Sequence, residues 1–389
     1  MQRLSFSLCL RRRRTGMVFV TMRVGKNRNS NIELLRIVCM SFIVMGHFKL
    51  QGAFYIPSLS VNSFLITVLG SGSRIAVNIF LMIGVWFMVD ADFSGKRIVA
   101  LWSQTAFYTY FLTTFLILIG YTSNLKIIFR GYLPFICRGL WFTSAYLTLI
   151  FVSPFLRKVF FWNPHQQALF LVVLFSAVCL VSTLPESQTS YLCDSLWFWF
   201  VYLLIGYFKR EVYGKHREQL EKWKWPCLIA GGILYMGLCI VFYFGELYGA
   251  DNKVIGLLFG LAAQYLDDIK TLPNVLCAFL FFNFTILCKA QTNAVIQKIA
   301  AASFSVYIIH QSPDFGHFLM WNIYHSAAFR GLDWSVLYLI FVPLSLFAVV
   351  SVVDIGRKAI ERRWMRSNLI RKITDAIDGV YRKAGMIES

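Results

Sequence analysis

Arg36 and His47 are the residues best placed to do chemistry, because both lie within an apolar stretch that opens at Ile32. Ionisable groups in such a stretch are costly and usually face a protein interior or a water-filled cavity. A separation of eleven residues in a helix brings the two side chains to within roughly 20° of one face, about 16 Å apart along the axis. One end of that face carries a permanent cation. The other carries an imidazole that takes or gives a proton near neutral pH, with no second cation evident at that end to compete with Arg36. Glu33, one turn before Arg36, can pair with Arg28 or Arg36, or simply complement the helix dipole. Each residue alone has a plainer role. Arg36 is close enough to the helix start to snorkel to water, and a histidine in an apolar helix often only bonds a neighbouring helix. The two on one face point to function.

The elements that must position them follow from composition. The chain has 389 residues, 58% hydrophobic and 15% charged, with a mean hydropathy of +0.61. Soluble domains are about 45–50% apolar and about 25% charged. The apolar residues come in blocks of roughly 20, long enough to cross a bilayer. The fold class is therefore all-α, a polytopic membrane bundle of about ten transmembrane helices. These spans fall at 32–51, 75–89 (preceded by the semi-apolar 59–70), 98–120, 140–156, 167–185, 195–208, 226–245, 272–288, 299–320 and 333–354. Residues 246–270, with Glu246, Asp251, Asp267 and Asp268, read as an external loop.

Lys and Arg concentrate at the N-terminus, on every second loop and at the C-terminus, which places both ends in the cytoplasm. The segment at 122–138, with Lys126, Arg130 and Arg138, departs from that rule. The organisation is a basic tail at 1–28, a membrane domain at 29–356 and a basic tail at 357–389. Within the last, Ile360 to Tyr381 reads equally as an amphipathic helix on the inner leaflet or as a solvated tail.

The net charge of +19 belongs to these loops, and with no recognition motif present nucleic acid is not expected as a partner. Nine cysteines, none in a Cys-x2-Cys pair and most in apolar spans, argue against a disulfide framework or a zinc site. A Gly-x-Ser-x-Gly nucleophile elbow, a phosphate loop and a His-Glu-x-x-His metal motif are all absent.

Further motifs lie along the membrane domain. Glu33-Leu34-Leu35-Arg36-Ile37 opens the helix that reaches His47. Val77, Asn78 and Phe80 precede Lys96-Arg97. Trp141-Phe142 and Tyr146 precede Pro154, and Leu203 to Phe208 includes Gly206-Tyr207. Ser303 to His310 includes Tyr307, which shares a helix face with His310. In order and spacing, over roughly 28–356, this set resembles the acyltransferase-3 family of membrane O-acyltransferases. Two places depart from the family's pattern. Gly84-Val85-Trp86 stands where the family has Ser-Gly-Tyr, and the adjacent Lys96-Arg97 replaces a pair of arginines three apart.

The resemblance implies a multi-pass enzyme of the bacterial cytoplasmic membrane. It would move an acetyl group from cytoplasmic acetyl-CoA, a co-substrate, to a hydroxyl of a cell-envelope polysaccharide or lipid-linked sugar. His47 and Arg36 would be catalytic. Arg36, Lys96 and Arg97 would bind the donor phosphates, Arg as a fork and Lys as a point charge; the two at 96–97 serve equally as membrane-orienting anchors. Glu33, Asn78, Trp141, Tyr146, Tyr307 and His310 would line the acceptor side, and no metal is implied. The rival is a secondary transporter or flippase for a sugar or lipid-linked glycan, in which Arg36 and His47 form a proton relay. Short, broken helices recurring in both halves, the transporter signature, are not evident in the sequence.

Overall fold

Asn29 starts the bundle: its side chain accepts from the Asn31 amide and caps the first helix. The computed structural model describes residues 29–136, 139–184 and 194–387. Those residues are mostly helical, with no strand among them. In order, α1 is Ser30–Gln51, α2 Val61–Ser71, α3 Ser73–Met88, α4 Gly95–Leu118, α5 Leu125–Tyr132 and α6 Trp141–Arg157. Helix α7, Pro164–Phe175, continues through a wide turn into α8, Val181–Thr183. Then follow α9 Asp194–Tyr207, α10 Gly214–Glu221, α11 Lys224–Tyr248, α12 Lys253–Asp267 and α13 Leu272–Leu287. The chain closes with α14 Ala294–Ala300, α15 Ser303–Gln311, α16 Phe315–Phe318, α17 Ser335–Trp364 and α18 Asn368–Lys383. Arg28, Arg138, Cys9, Cys137, Cys193 and the segment 185–193 lie outside the described residues.

Among the described residues, six segments are long and apolar enough to span a membrane: Ser30–Gln51, Val61–Met88, Trp141–Phe161, Pro164–Thr183, Lys224–Tyr248 and Ser335–Trp364. A seventh appears if α12 and α13, bent by 49°, count as one. The chain is thus a multi-pass all-α membrane protein, but the expected ten spans are not all found by length and composition. Helix α9 runs on through a wide turn at Phe208–Tyr213 into α10, but that continuation carries Lys209, Arg210 and Glu211, and α15 has 9 residues, against about 20 apolar residues needed to cross unaided. Helix α4 is long enough, but its buried face carries Gln104, Thr105, Thr109 and Thr113, which lower its apolarity. The loop character expected at 246–270 is corrected, since most of that stretch is helix α12. Asn252 caps α12 there, and the acidic residues sit at its flanks and end. The span expected at 299–320 is broken into α14, α15 and α16.

Helix α1 is the axis. It packs most extensively on α3 and also touches α2, α13, α14, α15 and α17. At Gly46 it passes so close to the α2–α3 break that a Cβ there would overlap Ser73 and the Gly70 carbonyl. Helix α3 is fastened by Asn78, whose amide donates to the Ile269 carbonyl at 2.7 Å and to Asn274 Oδ1 at 3.0 Å. Trp197 Nε1 donates to Asn78 Oδ1 at 3.0 Å, tying in α9.

The basic run beginning at Arg357 starts inside α17 rather than beyond the bundle, since Arg357 is buried. Helix α18 folds back on the α3–α4 turn. The Gly95 amide donates to Asp378 at 2.6 Å, Phe93 and Tyr381 rings lie 4.1 Å apart, and the Tyr381 hydroxyl donates to the Phe151 carbonyl at 2.8 Å.

Candidate active site

Two constellations form along α1, one near each end. At the first, Arg36 lines a cavity of about 90 Å³ together with Arg97, Arg357 and Lys358. Tyr146, Phe142, Gly84 and Gln104 complete its walls. Gly84 leaves room for Tyr146, because a Cβ there would stand 3.1 Å from the phenol oxygen. That gives a physical reason for a glycine in Gly84-Val85-Trp86. Trp86 packs instead against Tyr213 and Phe282, with Lys209 over its ring at 4.4 Å.

Three of the four cations of this cavity are held by buried acids. Arg36 Nη1 meets Glu33 Oε2 at 2.9 Å, with both side chains almost fully enclosed. Arg357 bridges Asp354 at 2.6 Å and Glu361 at 2.7 Å, and Lys358 meets the other Asp354 oxygen at 2.6 Å. Asp354 Oδ1 also accepts from the Tyr108 hydroxyl at 3.0 Å and the Ser305 hydroxyl at 2.8 Å; Gln104 in turn donates to Ser305 at 2.9 Å. Such an array is expensive unless every member is paired. It fixes α4, α15 and α17 around the cavity. Arg97 has no ion-pair partner within 4 Å among the described residues, and its buried Nε has no hydrogen-bond partner. It is the cation with charge left to offer.

At the second constellation, His47 Nδ1 lies 3.0 Å from His310 Nε2. His310 is fully buried, and its Nδ1 lies 2.6 Å from the Val306 carbonyl. A carbonyl can only accept, so His310 Nδ1 carries the proton, and in the neutral ring Nε2 keeps the lone pair. His47 Nδ1 must then be the donor of the pair, which leaves His47 Nε2 as a bare lone pair. The arrangement repeats the logic of a histidine base oriented by a third group, with a neutral histidine in place of a carboxylate. A second cation does stand at this end, contrary to expectation: Lys49 is buried, 4.4 Å from the Tyr55 ring centroid and near Ser71 at 3.5 Å.

The two constellations are not joined by a continuous polar lining. Met40 and Ile43 occupy the α1 face between Arg36 and His47, and both are buried. His47 is not among the residues lining the Arg36 cavity. What connects them is aromatic. Phe142 lines the cavity, its ring stands 5.6 Å from Tyr307, and Tyr307 stands 6.1 Å from His310.

Of the residues singled out from sequence, Arg36, Arg97 and Tyr146 meet at the cavity, and His47 meets His310 with Tyr307 beside it. Glu33 holds Arg36. Lys96 is exposed and does not line the cavity. Asn78 spends its amide on packing, and Trp141 packs on Phe142 and Phe198 away from the cavity. Arg357, Lys358 and Asp354 were missed. Their signal is the i, i+3, i+4, i+7 spacing of Asp354, Arg357, Lys358 and Glu361, which stacks alternating charges on one helix face.

The family model described as an acyltransferase domain matches residues 29–354, most of the chain. No curated protein and no solved structure matches.

Proposed function

The chain belongs to the acyltransferase-3 family, and from that we propose that it is an integral-membrane O-acyltransferase that carries a small acyl group, acetyl in the simplest case, from a cytoplasmic acyl-CoA to a sugar hydroxyl of the cell envelope. The observation that carries the reading is the ordered imidazole pair, His47 Nδ1 on His310 Nε2 at 3.0 Å, on the same helix as a cation-lined cavity.

His47 Nε2 accepts the proton of the acceptor hydroxyl as that oxygen attacks the thioester carbonyl. The C–O bond forms, the C–S bond breaks, and the imidazolium returns the proton to the departing thiolate. General-base assistance of this kind contributes about 10²–10⁴-fold. His310 accepts from His47 Nδ1 throughout and keeps the ring oriented. Arg97 attracts the donor's phosphates to the cavity, with Arg36, Arg357 and Lys358 around it. The Phe142–Tyr307 contact lies between that anion-binding cavity and the imidazoles, so a slender apolar arm is the part of the donor suited to cross it. In this topology the Arg36 end faces the cytoplasm, with ten passes and both termini on that side.

The test is membranes carrying the chain incubated with radiolabelled acetyl-CoA, followed by fractionation of the envelope. Label enters a glycan or lipid-linked sugar fraction with the native chain and is lost with His47→Ala, although that variant is still present in the membrane. Undiminished labelling by His47→Ala overturns the assignment.

A further inference from the structure

A second concavity lies outside the site just described. It is a groove of about 630 Å³ between α1 and α3 on one side and α11 and α13 on the other. Its size falls in the range of ligand pockets, roughly 300–1,000 Å³. Leu34, Val38 and Phe42 from α1, Ile75 and Ile79 from α3 and Phe281 from α13 make it apolar along its length. Leu34 and Val38 are 47% and 41% exposed, so the groove opens sideways between helices rather than into the bundle core.

One end of the groove differs from the rest. Lys224, at the start of α11, and Lys289, just past α13, both line it there. Among the described residues neither lysine has an ion-pair partner. The nearby acids are committed elsewhere: Glu33 is buried on Arg36 at 2.9 Å, and Glu221 meets Arg217 at 3.4 Å. Asn31 and Gln291 line the same end and add amide groups. Trp225, 58% exposed, stands beside Lys224 with its ring 5.4 Å from Phe284. Exposed tryptophan next to lysine is the residue pair of a membrane–water interface. Two unneutralised ammonium groups at interface depth, above an apolar slot, complement an anionic head on an apolar tail.

We propose that this groove is a binding site for one anionic glycerophospholipid of the leaflet at the Arg36 end. Its phosphate sits on Lys224 and Lys289, and an acyl chain lies along Leu34, Val38, Ile75 and Ile79. Basic pockets between membrane helices take anionic head groups in this way. The lipid would support α1 from the side opposite the catalytic constellations. This inference rests on the membrane assignment and not on the acyl-transfer reading, so either can fail without the other.

The test is native mass spectrometry of the full chain in detergent with phosphatidylglycerol or phosphatidylcholine added. A lysine near an anionic surface is worth about 1 kcal/mol, or about five-fold in occupancy. The native chain should retain one phosphatidylglycerol several-fold better than phosphatidylcholine. Lys224→Gln with Lys289→Gln should abolish the preference, and Val38→Trp, which fills the slot from an exposed position, should lower retention of both lipids. Inorganic phosphate at millimolar concentration should not displace the lipid. Equal retention of the two lipids, native-like retention by both variants, or full displacement by phosphate would each overturn the proposal, the last by marking a free-anion site.

Discussion

His310 has one chemical duty that few side chains share: it presents a lone pair to His47 Nδ1 while anchored to the Val306 carbonyl. Replacing it with leucine removes the acceptor and frees the His47 tautomer. We expect His310→Leu to lower kcat by about 10²-fold or more with little change in the donor KM. His310→Gln, which still carries an acceptor, should recover part of that loss; equal loss in both variants would point to packing alone. Arg97→Gln should behave in the opposite way, raising the donor KM with a smaller effect on kcat, because it touches only the anionic end. Asp354 is a stability residue. Removing one partner of a buried charge cluster costs about 3–5 kcal/mol. Asp354→Ala should therefore lower the thermal midpoint in detergent far more than Lys96→Ala, which changes an exposed cation.

At the scale of elements, α1 does the positioning and Gly46 lets it do so. The helix crosses the α2–α3 break with no room for a side chain. Gly46→Val should cost about 1–3 kcal/mol through overpacking. It should also displace His47, the next residue, so that activity falls more steeply than thermal stability. Helix α18 is the other element with a defined task. Ser367 caps it, its Asp378 bond to the Gly95 amide and the Tyr381 ring on Phe93 hold it against the α3–α4 turn near Arg97, and the Tyr381 hydroxyl ties it to Phe151 of α6. Ending the chain after Met365 should loosen that turn and weaken donor binding while leaving the imidazole pair intact. A donor KM equal to that of the full chain would show that α18 has no such role.

For the whole molecule, the bundle is a cation-lined cavity and a histidine pair separated by an aromatic layer. The topology proposed here has both termini on the donor side. Reporter fusions at the N- and C-termini of the full chain should therefore report from the same face of the membrane. Reporters on opposite faces would require an odd number of passes and would separate α18 from the Arg36 cavity.

The apolar blocks were enough to give the all-α membrane class, and the family was legible in the order and spacing of motifs such as Glu33 to Ile37 with His47, Trp141-Phe142 and Ser303 to His310. Those features depend on local composition and helical periodicity, which a chain carries along its length. Span number was less legible. A helix of 9 residues, such as α15, is tolerated where neighbours cover its ends, and composition does not show the neighbours. Helix α12 was hidden because acids at its flanks resemble a loop. The pairing of His47 with His310, the enclosure of Arg357 and the diversion of Asn78 into packing were decided only by tertiary structure. Each depends on which helix faces which across more than a hundred residues of chain. That choice is made by packing the whole bundle, not by the spacing within any one segment.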